Sequence, residues 1–417
     1  MEALREFTRT KSFFVCIFVA SFLVMFQRNP EVLKHATFWA EDGRIFYAQF
    51  HNYGLKSFLY SYAGYLHFAP RLAMLVSLPF GIINAPLVVN LFALIMRAFP
   101  ALFLFSERFS FVGMPYKFFL WAYYLLAPNI GETLGNTTNI QWHLALWLLM
   151  VLAADPPSSV AWKIHDLFVL ILSGLSGPFV IFLVPSILSK NTYRGGWYYK
   201  IMLLALSAIQ LSLVLSTAQE VTHATNLSWD FVLWNMKVFD ARVLCETFMP
   251  SYIFNHTLAK IFLNSNALSV LLFSASVLLP SYYFFLGLKH FRLCAVFGAL
   301  IFGSSLYRVW LSGFHDGFIY GGGERYFYIP NMLVFVFVLL IVKRFLDVRP
   351  HMKTKIYASL AVLLVLIAGT SFTLPAWSGN LRYRDSIKEL YYPAQSGDIV
   401  KIPIAPEGWS MTLTKKE

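Results

Sequence analysis

Apolar residues form long runs that follow one another along most of the chain. A helix needs about 20 apolar residues to cross the roughly 30 Å of hydrocarbon in a bilayer, and most runs approach that length. The alternating pattern of a membrane β-barrel strand does not recur. The sequence predicts an all-α polytopic membrane protein, with helices near 12–28, 68–84, 87–105, 116–128, 139–154, 167–189, 200–218, 266–287, 293–311, 326–343 and 356–376.

Basic residues set the predicted orientation, because short connections rich in Lys and Arg stay on the cytoplasmic side. The first run follows a basic stub and is interpreted as an uncleaved signal anchor with a cytoplasmic N-terminus. An odd number of crossings then places all three basic connections, 190–200, 289–292 and 343–355, in the cytoplasm. The long polar segments fall on the outer side: 29–67, 219–265, 312–325 and the tail 377–417.

Two arrangements remain open for the middle of the chain. The run 116–128 is short, and "SGLSGP" (173–178) interrupts the run 167–189. With eleven crossings, the polar stretch 129–143 faces the cytoplasm. With nine crossings both irregular runs are re-entrant and this stretch faces outward. Nine crossings are favoured, because they collect the polar stretches on one face.

The chain divides into a transmembrane domain, residues 1–376, and a C-terminal tail, residues 377–417. In the tail, "RYRDSIKELYY" has the spacing of a short amphipathic helix, and "DIVKIPIAPEGWSMTL" that of short extended pieces. Units of about 40 residues rarely form a sufficient core alone. We expect the tail to pack on the outer loops.

Composition agrees with a membrane protein, since 58% of the residues are hydrophobic and only 13% are charged. The net charge of +12 raises the possibility of nucleic-acid binding. However, the basic residues lie in short connections between apolar runs, which topology explains better. The membrane is therefore the predicted partner, and nucleic acid is not.

The first candidate site is "TFWAEDGRIFYAQF", where two carboxylates, Glu41 and Asp42, follow the first apolar run. A carboxylate within hydrogen-bond reach of a hydroxyl acts as a general base. Trp39 offers a flat face on which a sugar stacks. The alternative is that the two acids begin a helix lying at the membrane surface, since acids favour a first turn.

The second candidate site is "GYLHFAPRLAML", with His67 and Arg71 at the outer end of a predicted span. The planar donor fork of Arg71 suits a phosphate at headgroup depth. The alternative is an arginine that anchors the end of the span, its charged head in water.

The third candidate site is "NIGETLGNTTNIQWH", a dense polar stretch between two apolar runs. Ionisable and amide groups at membrane depth usually line a cavity or pair with one another. The alternative is a polar turn joining two helices. The candidate substrate-binding residues here are Glu132, Asn136, Asn139, Trp142 and His143.

The fourth candidate site is "SGFHDGFIYGGGERYFYIP". Its three glycines permit close approach of a ligand to backbone, and Arg325 follows as a possible phosphate ligand. His315, Asp316, Glu324 and Tyr326 are further candidates for binding substrate. The alternative is a flexible hairpin, since the lysine of a P-loop is missing. No histidine or cysteine spacing typical of a metal site occurs, so no cofactor is predicted.

Four stretches resemble the phage-encoded serotype-converting O-antigen glucosyltransferases. They are "FWAEDGRIFYAQF", "HFAPRLAML", "GETLGNTTNIQWHLAL" and "GGGERYFYIP". The resemblance implies a GT-C-like helical bundle in the bacterial inner membrane, with a periplasmic C-terminus. It implies transfer of glucose from polyprenyl (undecaprenyl) phosphate-glucose to a lipid-linked O-antigen. A donor-making glucosyltransferase and a flippase are the implied partners.

The resemblance also implies residue roles. Asp42 is the expected catalytic base, with Glu41 as the second choice, and Arg325 is the expected phosphate ligand, assisted by Arg71. A D-x-D motif of metal-dependent members is missing, which leaves a divalent metal requirement open. An O-antigen polymerase or ligase, or a transporter of lipid-linked sugars, remains as an alternative function.

Overall fold

A computed structural model describes residues 10–187, 196–218, 228–286, 289–312, 318–371 and 383–416. The chain is mostly helical, at 77%. The α-helices are Lys11–Arg28, Glu31–Lys34, Ala48–Tyr53, Phe68–Ser77, Gly81–Leu104, Met114–Leu126, Ile140–Ala153, Val160–Gly174, Val184–Ile187, Trp197–Ala218, Trp229–Val238, Ser251–Thr257, Ala259–Asn264, Asn266–Phe285, Lys289–Ser312, Arg325–Val348, Lys353–Ser371 and Tyr383–Ser386. Three π-helical segments, Asp42–Tyr47, Phe239–Cys245 and Ile387–Tyr391, extend some of these helices. The 3₁₀ turns are Gly54–Leu59, Leu78–Phe80, Glu107–Phe109, Gly131–Thr133, Pro178–Leu183 and Pro350–Met352.

Seven helical segments among the described residues are long and apolar enough to cross a bilayer. This is consistent with a polytopic membrane protein, although it is fewer than the nine or eleven crossings predicted. The segments are Lys11–Arg28, Phe68–Leu104, Trp197–Thr217, Asn266–Tyr283, His290–Tyr307, Arg325–Val348 and Pro350–Thr370.

The apolar run 68–84 does not form a span of its own. Its helix, Phe68–Ser77, has 10 residues and therefore extends only about 15 Å. The backbone then turns at Gly81, where φ is +69°, and the 24-residue helix Gly81–Leu104 begins. The two helices pack against each other, so two predicted spans are one candidate span.

The helix Ile140–Ala153 lies in the centre of the helical body. It has 14 residues, so at about 21 Å it is shorter than the hydrocarbon thickness. Its residues are buried on nearly every side, as expected of a helix that is apolar all round. Trp147 stacks on Phe99, with ring centroids 5.6 Å apart. The break predicted at "SGLSGP" is present, because the helix Val160–Gly174 ends there.

The tail ends in the one two-stranded sheet of the described residues. Strand β1 (Ile399–Ile404) pairs antiparallel with strand β2 (Trp409–Thr414), with Ile402 opposite Met411. This tail hairpin shares a core with the first polar segment, in which Ile402 and Ile404 cluster with Phe38 and Phe46. The tail is therefore held by residues that lie more than three hundred positions earlier in the sequence. His51, for example, forms a hydrogen bond with the carbonyl of Thr414, which lies 363 positions later.

Candidate functional site

Asp42 joins the first candidate stretch to the third. The Thr137 amide donates to Asp42 Oδ2 at 2.9 Å, and the Thr137 and Thr138 hydroxyls donate to Oδ1 at 2.8 and 2.6 Å. Residues on opposite sides of a bilayer cannot make such bonds. The stretch 129–143 thus lies directly against residues 37–54.

The Asp42 carboxylate is sealed from solvent, with a side chain 0% exposed. Burial raises the pKa of Asp42 to about 6, and the hydrogen bonds from Thr138 and Thr137 offset only part of that rise. A buried carboxylate accepting three hydrogen bonds fixes the loops around it. In this conformation an incoming hydroxyl does not reach it.

Glu41, the neighbouring acid, is only half-buried. The Tyr62 hydroxyl donates to Glu41 Oε1 at 3.4 Å. Burial and the nearby Glu41 charge raise the pKa of Tyr62 to about 12, so Tyr62 remains a donor. The charges of Glu41 and Arg325 also interact. Of the two acids, Glu41 is the one that a bound hydroxyl can approach.

Glu132 and Arg325 join the third candidate stretch to the fourth. The Arg325 amide donates to Glu132 Oε2 at 3.2 Å, and Arg325 Nη1 lies 3.7 Å from Glu132 Oε1. Both side chains remain about one-third exposed, at 34% and 32%. The Tyr326 ring centroid lies 5.1 Å from the Arg325 guanidinium carbon. Arg325 is therefore held in place loosely and is reachable from solvent.

Glu324 completes this contact from the other direction. Its Oε2 accepts from the Glu132 amide at 3.2 Å. Burial, followed by the charge of Glu132, raises the pKa of Glu324. Gly131 lies close to this carboxylate, since a Cβ there would lie 3.3 Å from Glu324 Oε2. Glu324 thus positions the third stretch rather than facing a ligand.

The remaining polar residues of the third stretch are buried and shape its turn. Asn136 Nδ2 and Asn139 Nδ2 each donate to the Glu132 carbonyl at 2.7 Å. His143 Nε2 lies 3.4 Å from the Thr133 carbonyl oxygen. Trp142 packs edge-on to Tyr326, with ring centroids 5.7 Å apart. These side chains hold Glu132 in position, and they do not line an open surface.

The side chains of His67 and Arg71 form hydrogen bonds that hold the first polar segment, residues 29–67, in place. His67 Nε2 lies 3.2 Å from the Tyr62 carbonyl oxygen, and burial lowers the pKa of His67 to about 3, so it is neutral. Arg71 is 0% exposed. Its Nη2 donates to Gln49 Oε1 at 2.9 Å and to the Tyr60 carbonyl at 2.7 Å. Arg71 is thus enclosed by protein, and its charged head does not lie in water as the alternative interpretation predicted.

The remaining residues predicted to bind substrate are Trp39, His315 and Asp316. Trp39 forms a β-bridge with Ala405 of the tail. The Ala40 amide donates to the Ala405 carbonyl, and the Ala405 amide donates to the Phe38 carbonyl. Trp39 therefore belongs to the contact between tail and first segment. His315 and Asp316 lie outside the described residues.

Arg242, which the sequence did not single out, anchors the glycine-rich segment. Its Nη1 donates to the carbonyls of Phe318 and Gly322 at 2.7 and 3.1 Å. Its Nε lies 2.8 Å from Glu246 Oε2, and both side chains are 0% exposed. Burial raises the pKa of Glu246 to about 7, against the opposing effect of Arg242. The i, i+4 spacing of Arg242 and Glu246 is the only signal of this pair in the sequence.

An apolar cavity of about 1110 Å³ lies beside this site. Its lining follows the helix Arg325–Val348 from Pro330 to Asp347, a distance of about 25 Å at 1.5 Å per residue. Tyr124 and Phe248 line it as well. Within the described ranges, no group of three His, Cys, Asp or Glu side chains is placed to hold a metal ion.

The chain matches no known protein family, no curated protein and no solved structure.

Proposed function

We propose that the protein is a glucosyltransferase of the bacterial inner membrane. It takes glucose from polyprenyl-phosphate-glucose and attaches it to a sugar of a lipid-linked O-antigen on the periplasmic face. The observation that carries the proposal is that the carboxylate of Glu41 and the guanidinium of Arg325 lie near each other and can both be reached from solvent. We call this part of the surface the rim. Their charges interact, and both belong to stretches that resemble this enzyme family.

The reaction needs a base and a charge-stabilising group on opposite sides of one carbon atom. Glu41 removes the proton from the acceptor hydroxyl, and the hydroxyl oxygen then bonds to the anomeric carbon of glucose. The bond from that carbon to the phosphate oxygen breaks, and its electron pair leaves with the polyprenyl phosphate. Arg325 neutralises the charge that develops there. A single displacement of this kind inverts the anomeric carbon.

Asp42 takes a positioning role in this proposal. Its three hydrogen bonds to Thr137 and Thr138 hold Glu41 against the stretch that carries Glu132. Glu132 in turn keeps Arg325 near the rim without enclosing it. The proposal therefore places Glu41 ahead of Asp42 as the base, the reverse of the order implied by the resemblance.

The apolar cavity supports a lipid-borne donor. An isoprenoid chain is apolar and gains free energy on leaving water, about 25 cal/mol per Å² of buried surface. The cavity begins near Pro330, five residues beyond Arg325. A donor with its chain in the cavity thus has its phosphate near the rim.

The proposal is tested in cells that make polyprenyl-phosphate-glucose and an O-antigen. The wild type, Glu41→Gln and Arg325→Ala are compared by analysing the polysaccharide for added glucose. We expect both variants to lose at least about 99% of the transfer, since a general base contributes about 10²–10⁴-fold and a charge-stabilising donor about 10²–10³-fold. Glu31→Gln, in the same segment, and Arg384→Ala, in the tail, are matched controls expected to retain it.

Each variant is first shown to be inserted and stable. Full modification by both Glu41→Gln and Arg325→Ala contradicts the site. A wild type that adds no glucose but moves a lipid-linked sugar across the bilayer identifies a transporter instead. Extension or transfer of whole O-antigen chains identifies the polymerase or ligase alternative.

A further inference from the structure

Arg97 is a buried arginine with no carboxylate partner in the described part of the chain. It is 1% exposed and lies within the helix Gly81–Leu104. Its one hydrogen bond is long, from Nη1 to the Thr133 carbonyl at 3.5 Å. Its Nε and Nη2 have no hydrogen-bond partner among the described residues. Leaving charged donors unsatisfied in the interior costs several kcal/mol by order of magnitude.

The other buried arginines are better satisfied. Arg108 pairs with Asp166, and Arg242 pairs with Glu246. Arg71 leaves Nε and Nη1 without a partner among the described residues, but its Nη2 makes two short hydrogen bonds, to Gln49 and Tyr60. Arg97 is thus the buried guanidinium with the most unused donor capacity in the described part of the chain.

A second cation adds to the charge at this position. Arg28 lies close enough to Arg97 for their like charges to repel. Its two terminal nitrogens donate to the carbonyls of Leu125 and Ala127 at 2.7 and 2.9 Å, and its side chain is 7% exposed. Glu324 is the carboxylate whose charge reaches Arg28. Two buried cations near each other favour an additional anion.

The apolar cavity reaches the helical turn that follows Arg97. Pro100 and Ala101, one helical turn further on, line it, and so does Tyr124. The Tyr124 hydroxyl donates to the Arg97 carbonyl at 2.8 Å, and the Arg97 guanidinium lies 5.9 Å from the Tyr124 ring centroid. A charged group and an apolar cavity in this order match a molecule with an anionic head and an apolar chain.

We propose that Arg97, assisted by Arg28, forms a phosphate-binding subsite for a lipid phosphate whose chain occupies the apolar cavity. The subsite rests on the proposed function for the identity of that lipid. In this proposal the Arg97 guanidinium contacts the lipid phosphate before and after transfer, whereas Arg325 contacts it during transfer. Arg325 then acts at the rim, and Arg97 retains the lipid product inside.

Binding to the purified full-length protein tests the subsite without any transfer reaction. Undecaprenyl phosphate, undecaprenol and inorganic phosphate are titrated against the wild type, Arg97→Lys and Arg108→Lys. Lysine keeps the charge but not the donor fork. We expect Arg97→Lys to weaken binding of undecaprenyl phosphate about tenfold. Binding of undecaprenol, which lacks the phosphate, is expected to stay unchanged, and so is lipid binding by Arg108→Lys.

Unchanged binding of undecaprenyl phosphate by Arg97→Lys overturns the subsite. Inorganic phosphate that competes at equal concentration assigns the arginines to free phosphate and overturns the lipid. Should Arg97→Lys fail to fold, a photoreactive undecaprenyl phosphate is cross-linked to the wild type. Labelling of peptides containing Thr133 or Tyr328 supports the subsite, whereas labelling around Gln49 and Tyr60 overturns it.

The two proposals fail separately. If Arg97→Lys binds the lipid phosphate weakly but the wild type adds no glucose, the subsite stands and the transferase does not. If Glu41→Gln abolishes transfer while Arg97→Lys binds and transfers normally, the transferase stands and the subsite does not.

Discussion

Glu132 and Glu324 each hold the backbone of the other's segment. Glu324 Oε2 accepts from the Glu132 amide, and Glu132 Oε2 accepts from the Arg325 amide, both at 3.2 Å. These two hydrogen bonds join residues that are 192 and 193 positions apart, and they connect the third candidate stretch to the fourth. The two carboxylates also repel each other, and this repulsion contributes to the raised pKa of Glu324.

Replacing Glu324 separates these two effects. In Glu324→Gln the side-chain carbonyl still accepts from the Glu132 amide, and the like-charge repulsion is gone. We expect a thermal unfolding midpoint in detergent at or above that of the wild type at pH 8. Glu324→Ala leaves the Glu132 amide unpaired and costs about 1 kcal/mol. Equal midpoints for the two variants contradict this account.

Asp42 makes stability depend on pH. Burial raises its pKa from 3.8 to about 6, which corresponds to about 3 kcal/mol. Because the folded-state pKa is raised, the protonated form favours folding. That contribution is fully present below about pH 4 and is lost as pH rises through about 6. Unfolding midpoints measured between pH 4 and 8 are expected to fall in the wild type relative to Asp42→Asn.

Asp398→Asn, in the exposed part of the tail, is the matched control for that series. Its pH profile is expected to follow the wild type. A constant difference between wild type and Asp42→Asn at all pH values contradicts a raised pKa for Asp42.

Removing the carboxylate from the buried Arg242–Glu246 pair is expected to lower the stability of the protein by a large amount. Glu246→Ala leaves a fully buried guanidinium without its carboxylate, and we expect a loss of about 3–5 kcal/mol. Glucose transfer falls in parallel with the amount of folded protein, since Arg242 holds the segment that precedes Arg325. Asp230→Ala, an exposed acid of the same region, is expected to match the wild type in thermal unfolding. A stable Glu246→Ala protein shows that Arg242 does not need this partner.

Gly43 tests the contact between the first segment and the tail. A Cβ at this position would lie 2.7 Å from Ile404 Cδ1 and 2.8 Å from Phe38 Cβ. We expect Gly43→Ala to cost about 1–3 kcal/mol and to reduce transfer, because Glu41 moves with this segment. Adding Ile404→Val removes Cδ1 and restores part of the midpoint. Gly369→Ala, with open space around it, is expected to leave both measurements unchanged.

Sequence periodicity located the long helices because their signal is local. The run 326–343 matches the helix Arg325–Val348, and the run 200–218 matches Trp197–Ala218. Hydropathy could not separate a span from a short helix enclosed by protein, since both are apolar. For that reason the run 68–84 was wrong as a span, and the burial of Ile140–Ala153 on all sides was not foreseen.

The candidate site was predicted as four stretches but not as contacts. Their polar density is visible locally, whereas the bonds from Asp42 to Thr137 and from Glu132 to Arg325 join residues 95 and 193 positions apart. The relative burial of Glu41 and Asp42 is equally hidden, because neighbours in sequence face different surroundings. Arg97 escaped notice because one arginine inside an apolar run carries no pattern.

The shared core of the tail hairpin and the first segment has a consequence for biosynthesis. Asn52 pairs with Thr412 and Thr414, which the ribosome adds 360 and 362 residues later. Until then Phe38 and Phe46 lack the part of their apolar core that Ile402 and Ile404 supply. Glu41 therefore reaches its final surroundings only after translation has passed the hairpin, so a nascent chain whose long helices are already made still lacks a complete candidate site.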